Sequence, residues 1–459
     1  MSNIHVVVLA AGKGTRMKSA LPKVLHPLAG APVISYVLAA ARPLGAKTTT
    51  LVVGHGADAV REALASHGDL RFVIQEPQLG TGHALRQAEP LFRGVEGTLV
   101  LLSGDVPLLA ARTLERLVGA HLASPAAATL LTATLADPFG YGRIVRDKGG
   151  VARVVEERDA TADQGAIREV NVGIYAFDLA PLFPALAGIA SANAQGEYYL
   201  PDIVRIYRGE GRVVNAVPLD DAIEIRGINT RKELAALSRA VRERRNEALM
   251  ASGVTMEDPN TTYIGPDVEV GCDTVLRANV SLEGRTRIGA GCEIHSNVHI
   301  VDSTVDDGVV ILNCCLVNRA KIASGARIGP FAHLRPESDV RQGAHVGNFV
   351  ELKKTTLGAQ SKANHMAYLG DATIGERVNI GAGTITCNYD GECKHPTVIE
   401  DGVFIGSASQ LVAPVKVGEG AYVAAGSTIT RDVPPGALGI ARGVQVNKEG
   451  WVGRKRKKA

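Results

Sequence analysis

The sequence predicts an α/β protein of two unlike halves: a Rossmann-like domain on a mostly parallel sheet, a long linking helix, and a left-handed parallel β-helix of hexapeptide repeats. Three observations predict it. Up to about residue 228, short Val/Ile/Leu runs ("HVVVLA", "TTTLVVG", "RFVIQ", "TLVLLSGD") alternate with helical stretches such as "APVISYVLAAARPLG", the rhythm of βαβ units. Residues 229–253 carry Leu234, Leu237, Val241 and Leu249 at near-helical spacing among many charges. From Ile264 onward an aliphatic residue recurs every six positions.

The first segment, residues 1–228, reads as one domain, with strands ending in Gly-rich or acidic turns. The helix over 229–253 starts on Asn229-Thr230 as its cap and stops at Gly253. The six-residue clock runs Ile264, Val270, Leu276, Leu282, Ile288, Ile294, Ile300, then after one-residue slips Val305, Ile311, Val317, Ile322, Ile328, Leu334, Val340, Val346, Leu352, Leu357, Ala363, Leu369, Ile374 and Ile380. It resumes at Ile399, Ile405, Leu411, Val417, Val423 and Ile429. Each hexad is one short side of a triangular coil, with its aliphatic residue inward and a corner next to it. Three hexads make a turn, so residues 18 apart stack about 4.8 Å from one another along the axis. Residues 254–437 are therefore assigned to the prism and 438–459 to a tail whose basic end, Arg454 to Lys458, is expected to be disordered. The interval between Ile380 and Ile399 holds "TCNYDGECKHP", read as a loop thrown out from the prism wall.

Composition narrows the function classes. The chain has 459 residues, 46% hydrophobic, and a net charge of +3, so no global field argues for nucleic acid or a membrane surface. Aromatics are only 4%, and glycines number 51, as a prism of stacked aliphatic residues requires. The six cysteines show no C-x2-C spacing, which argues against a disulfide framework or a zinc site. The apolar "VVVLAA" lacks a preceding cation and is cut short by Gly12-Lys13-Gly14, so it is not read as a signal peptide, and no apolar run is long enough for a membrane helix. A cytoplasmic protein is expected.

Candidate sites follow from the motifs. In "HVVVLAAGKGTRMKSALPKVLH" a strand runs into a bare turn flanked by Arg16 and Lys23. The turn fits neither the P-loop nor the dinucleotide fingerprint, yet its amides and two cations suit a triphosphate. Asp105, in "TLVLLSGDVPLL", stands at the carboxyl end of a buried strand, a place for Mg²⁺ or, equally, for a helix cap. On the prism, Arg335 and Lys353 lie 18 residues apart (353 − 335) and should stack on one face as a phosphate site. His365 is suited to deprotonate an amine, with Glu351 as an orienting carboxylate. The prism histidines 295, 299, 333, 345 and 365 leave a metal site open as the other reading.

In that order, "LAAGKGTRM", "PKVL", "QLGTGHA", "GDVPLL", "GYGRIV", "NVGIY" and "GINTRKEL" resemble the sugar-nucleotide pyrophosphorylases. Joined to "RPESDVRQGAHVGNFVELKK" and "GAGTITCNYDG" on a hexapeptide prism, they resemble the family of bacterial bifunctional N-acetylglucosamine-1-phosphate uridyltransferases and glucosamine-1-phosphate acetyltransferases over nearly the whole chain. The resemblance implies acetylation of glucosamine-1-phosphate by acetyl-CoA on the prism. It then implies uridylyl transfer from UTP in the N-terminal domain, giving UDP-N-acetylglucosamine for cell-wall synthesis. By this resemblance, Leu9, Ala10, Ala11, Gly12, Gln75, Gly80, Thr81, Ser103 and Gly104 surround the nucleotide, and Lys13, Arg16 and Lys23 hold phosphates. Asp105 and Asn229 share Mg²⁺, while Gly140, Glu156 and Asn171 hold the amino sugar. It assigns His365 as base, Arg335, Lys353, Tyr368 and Asn379 to the sugar phosphate, and Ala382, Asn388, Tyr389, Ser407, Ala425 and Arg442 to acetyl-CoA. It also implies a homotrimer built through the β-helix. Ser103 departs from the family, which usually has Tyr there. Two alternatives stand beside this reading: a single-activity pyrophosphorylase whose prism only assembles or regulates, and a metal-dependent hydratase or structural solenoid.

Overall fold

The computed structural model describes residues 3–456. The chain divides into two compact units, Met1–Val241 and Arg242–Ala459. The division falls within the helix Arg231–Ala251, whose first turns belong to the first unit and the rest to the second.

In the first unit, β1 (Ile4–Ala10) is followed by a hairpin of β2 (Pro27–Leu28) and β3 (Ala31–Pro32), then α1 (Val33–Ala41). Next come β4 (Thr48–Val53), α2 (Ala57–Ala63), β5 (Leu70–Ile74), α3 (Thr81–Arg86), β6 (Thr98–Ser103) and α4 (Ala111–Leu122). The unit continues with β7 (Ala126–Thr134), β8 (Arg143–Asp147), β9 (Gly150–Val155), α5 (Ala162–Gly165) and β10 (Glu169–Asp178). It ends with α6 (Leu179–Ala187), α7 (Asp202–Gly209), β11 (Val213–Pro218) and the start of α8 (Arg231–Ala251). The sheet order is β11-β7-β10-β6-β1-β4-β5, with the β8–β9 hairpin beside β10. Only β10, and the β8–β9 hairpin joined to it, break the parallel run.

Alternation along β1 explains the layers. Val6 and Val8 face one core with Ile34, Val37, Leu114 and Leu117 of α1 and α4. Val7 faces the other with Leu85, Leu182 and Ile203 of α3, α6 and α7. Helices thus cover both faces, which is why the strands read as continuous apolar runs. The carboxyl ends of β1 and β6 are left open between the layers, the usual ligand position of such sheets.

α8 begins with a capping box. Thr230 Oγ1 accepts from the Glu233 amide at 3.2 Å, and Glu233 Oε2 accepts from the amides of Thr230 and Asn229 at 2.7 and 2.8 Å. Satisfying those amides from Glu233 leaves the Asn229 side chain free to face the β6 end.

The second unit is the prism: three parallel sheets of short strands, of 11, 10 and 9 members, each strand pairing with the one a full turn later. Every residue of the six-residue clock is buried except Val270, which is partly buried against the same core. Along one sheet, positions 263, 281, 299, 316, 333, 351, 368, 385, 410 and 428 stack, so the rise between coils takes 18, 17 or, once, 25 residues. The 25-residue coil carries the excursion. Inside the expected gap a strand, Ile385–Cys387, continues the wall, with Thr386 buried in the inward position where a hydroxyl replaces the aliphatic residue. The loop proper therefore starts only at Asn388. In the tail, Trp451–Arg456 is a short helix, α9, with the Lys455 ammonium 5.1 Å from the Trp451 ring centre. Lys457 and Lys458 lie outside the described residues.

Candidate functional site

The first site is built at the carboxyl end of β1. Ala11 is buried, Gly12 and Lys13 are exposed, and Gly14 takes the left-handed conformation (φ 59°) before a single helical turn, Thr15–Met17, anchored by the buried Met17. A Cβ on Gly14 would lie 2.9 Å from Lys23 Cβ, so the turn and the base of Lys23 are packed against one another. Lys13 and Arg16 are exposed and, among the described residues, form no ion pair.

The Lys23 ammonium contacts Asp105 Oδ2 and lies 3.2 Å from Asn229 Oδ1. Asp105 also accepts from the Ile228 amide through its backbone carbonyl at 3.0 Å, which clamps the segment before α8 to the end of β6. The two expected metal residues, 124 positions apart (229 − 105), thus converge on one cation. A carboxylate and an amide oxygen form a hard donor pair of the kind Mg²⁺ takes, with phosphate and water completing its shell. These residues fit such an ion.

On the nucleotide side Gln75, almost fully buried, donates to the Gly80 carbonyl at 2.9 Å and meets His83 Nδ1 at 3.2 Å. Thr81 Oγ1 accepts from the Leu200 amide at 3.2 Å. Gly80 has φ 102°, and a Cβ there would meet the Tyr198 carbonyl at 2.8 Å, so this approach is open only to glycine. Leu9 and Ser103 are register partners on β1 and β6, and Gly104 donates to the Leu9 carbonyl at 2.9 Å.

Glu156 and Asn171 meet at Gly142, while the Gly140 amide donates to the Glu157 carboxylate at 3.1 Å. The Asn171 amide donates to the Gly142 carbonyl at 2.8 Å, and a Cβ on Gly142 would lie 3.2 Å from Glu156 Oε1. Burial, with Asp159 and Asp202 adding to it and Arg143 opposing, raises the Glu156 carboxyl above the ordinary carboxylate range. The Tyr141 phenol is raised chiefly by burial, and Asp105 is among the carboxylates adding to the shift, which ties this loop to the Lys23 end.

The second site lies on the prism. His365 is exposed, and its Nδ1 is 2.7 Å from Asn348 Oδ1. An amide oxygen only accepts, so the ring proton sits on Nδ1 and Nε2 carries the free lone pair. Glu351 does not orient His365: its carboxylate accepts from Arg335 at 2.8 Å. Register is the reason for this correction, because Asn348 pairs with His365 on one sheet while Glu351 pairs with Tyr368 on the next side of the prism.

Arg335 and Lys353 do fall one coil apart, as their spacing implies, and the Lys353 ammonium lies 3.4 Å from Asp371 Oδ2. Asn388 also donates to Asp371, joining the excursion loop to this cluster. Sequence reasoning missed Lys394 of that loop. Its ammonium lies against that of Lys353, and the neighbouring positive charge holds Lys394 below the ordinary lysine range. Asn348 and Asp371 had a usable signal, standing one coil from His365 and Lys353, at intervals of 17 and 18 (365 − 348; 371 − 353). Lys394 had none, since loop residues follow no period.

Asn379 pairs with Lys362 and Phe404 on the sheet of His365. Ala382, Ser407 and Ala425 stand two residues after the inward Ile380, Ile405 and Val423, one above another along a corner. Arg442 donates to the Ala425 carbonyl at 2.7 Å, capping that column. Tyr389 is exposed on the loop, beside Lys394. Among the described residues no cluster of His, Cys, Asp or Glu suits a metal ion, so the histidine-rich metal reading finds no support here.

Residues 6–167 match the MobA-like NTP transferase domain, and residues 396–431 match the bacterial transferase hexapeptide family, six repeats. The chain is 51% identical to the bifunctional protein GlmU of Trichlorobacter lovleyi over 98% of both chains. It is 49% identical to that of Shouchella clausii over 98% of this chain and 99% of the relative, and 48% identical to that of Pelobacter propionicus over the full length of both. With a nucleotidyltransferase unit and a hexapeptide transferase unit on one polypeptide, at about half identity from end to end, the chain belongs to the bifunctional GlmU family of transferases.

Proposed function

We propose that the prism acetylates glucosamine-1-phosphate with acetyl-CoA and that the N-terminal unit then transfers uridylyl from UTP to N-acetylglucosamine-1-phosphate. What supports this reading is a pair of features on the same coils: an imidazole held at Nδ1 by Asn348 with Nε2 left to take a proton, and, on the next side of the prism, Arg335, Lys353 and Lys394 as cations for a phosphate.

In the first reaction the sugar amine attacks the thioester carbonyl carbon, a C–N bond forms and the C–S bond breaks. His365 Nε2 takes the amine proton, and the departing CoA thiolate is reprotonated. Arg335, Lys353 and Lys394 fix the phosphate, so that the amine is delivered by position rather than by encounter. Asn388 and Tyr389 cover the pantetheine arm, with Ala382, Ser407, Ala425 and Arg442 along the coenzyme.

In the second reaction a phosphate oxygen of the sugar attacks the α-phosphorus of UTP, and the α–β anhydride bond breaks to release pyrophosphate. Lys13, Arg16 and Lys23 neutralise phosphate charge, Gln75 and Gly80 hold the base, and Glu156 and Asn171 orient the sugar. Asp105 and Asn229 would hold Mg²⁺, which when bound supplies charge neutralisation on the phosphates.

The assembly proposed is a homotrimer in the cytoplasm. Phe331, Phe349 and Met366 support it: they are half to two-thirds exposed, all in left-handed backbone conformations, and successive along one prism corner, with the two phenyl rings stacked at 5.2 Å. Such an apolar ridge favours burial against a second copy. Among the described residues no helix is long and apolar enough to cross a membrane.

His365→Ala tests the reading. It abolishes CoA release from acetyl-CoA and glucosamine-1-phosphate, while UDP-N-acetylglucosamine still forms from preacetylated substrate. Equal loss of both activities overturns it, and wild-type protein that never consumes acetyl-CoA restores the pyrophosphorylase with a regulatory prism.

A further inference from the structure

We propose that Lys23 is a built-in counter-cation for the metal seat, holding Asp105 and Asn229 together in the free enzyme and yielding that seat only when nucleotide phosphates draw it away. The inference rests on the reading of Asp105 and Asn229 as the Mg²⁺ residues.

Three observations carry it. First, the Lys23 ammonium contacts the carboxylate oxygen of Asp105 and lies 3.2 Å from the amide oxygen of Asn229, and these are the two donors that suit a divalent ion. Its side chain is only 14% exposed and that of Asp105 25%, so the pair is poorly screened by water. Second, among the described residues Lys23 is the one cation paired with Asp105. A divalent ion arriving alone must displace a charge already in place. Third, the base of Lys23 is packed against Gly14, within the turn read here as the phosphate cradle. The stem thus starts at the phosphate turn while its tip lies in the metal seat, and rotation about the outer methylene bonds carries the ammonium from one to the other.

The consequence is coupling between ligands. A triphosphate offers Lys23 a better partner than Asp105 and simultaneously supplies oxygens for the metal. Metal and nucleotide then bind with positive cooperativity, which is reciprocal by linkage. The metal is also kept from loading on an empty site.

The test uses the full-length protein and Mn²⁺ as probe, its bound fraction read by electron paramagnetic resonance and calorimetry, with and without α,β-methylene-UTP. Lys23→Met binds Mn²⁺ alone at least tenfold more tightly than wild type. The gain in Mn²⁺ affinity brought by the nucleotide analogue shrinks by a similar factor. Lys23→Gln, uncharged and shorter, repeats the result in a second shape, and an unshifted thermal unfolding transition of the N-terminal unit confirms that each variant is folded. Mn²⁺ affinity that requires Asp105, as shown by Asp105→Asn, but is indifferent to both Lys23 substitutions overturns the counter-cation and leaves the site reading standing. Mn²⁺ binding that survives Asp105→Asn overturns both.

Discussion

Replacing Asn348 with alanine isolates a single contact of the acetyl site. Its Oδ1 lies 2.7 Å from His365 Nδ1 and is the sole partner of the ring given by the hydrogen-bond network of the described residues. The substitution leaves Val346, the neighbouring inward residue, in the core, so the coil itself should persist. A hydrogen bond of this kind contributes about 0.5–1.5 kcal/mol, which corresponds to roughly a 2- to 13-fold loss when it acts only in the reacting complex. Losing the acceptor also lets the ring proton move to Nε2, which silences the base in that tautomer and pushes the loss to the upper end of the range. The assay is CoA-thiol release at saturating acetyl-CoA and glucosamine-1-phosphate, with uridylyl transfer measured in parallel. Asn348→Ala lowers kcat for acetyl transfer about tenfold and leaves KM and uridylyl transfer unchanged, whereas Asn348→Asp, which keeps an acceptor, recovers most of the rate. A kcat within twofold of wild type, or an aspartate variant as slow as the alanine one, refutes the orienting role.

The remaining predictions concern the N-terminal unit. Gly14→Ala meets both a left-handed backbone and a 2.9 Å approach to Lys23 Cβ, costing about 1–2 kcal/mol; uridylyl transfer falls roughly tenfold, read as KM for UTP, with acetyl transfer intact. Thr230→Ala removes the cap that positions Asn229, costs about 1 kcal/mol, and weakens Mn²⁺ binding in the presence of nucleotide, measured by calorimetry. Glu156→Gln lowers uridylyl transfer but raises the melting temperature of the N-terminal unit by roughly 1–3 °C at neutral pH. The sign follows from its raised carboxyl: the folded state holds that proton more tightly than the unfolded state, so ionisation at neutral pH costs stability. The glutamine removes that cost, and its advantage disappears as pH falls below the ordinary carboxylate range, which calorimetric scans at pH 4 and pH 7 would reveal.

Much of the prism was legible because its physics is periodic: an inward residue every sixth position needs no long-range information, and only Val270 among those residues is incompletely buried. Thr386 escaped because the clock counts aliphatic residues, while the inward hydroxyl there is satisfied by the Gly370 backbone. Arg335 and Lys353 were placed by the same arithmetic, but Glu351 was assigned by nearness in sequence, and on a triangular coil three residues turn a corner. Counting one coil back from His365 reaches Asn348, the true partner. In the N-terminal unit the glycine turn and Asp105 were visible as strand endings. The meeting of Lys23 with Asn229 was not, because it depends on the clamp between the Asp105 carbonyl and the Ile228 amide across the fold. Lys394 lies in an aperiodic loop and becomes visible only through its position against Lys353.

The uneven coil lengths of the prism bear on how such a wall acquires new chemistry. Strands remain in register whether 17, 18 or 25 residues separate them, so insertions and deletions are absorbed at the corners and never reach the ladders. Selection is free to lengthen one corner into a projecting arm, as at Asn388 and Tyr389, without renegotiating the core beneath. Grafting a foreign segment at the equivalent corner of another coil is accordingly a low-cost route to a redesigned specificity.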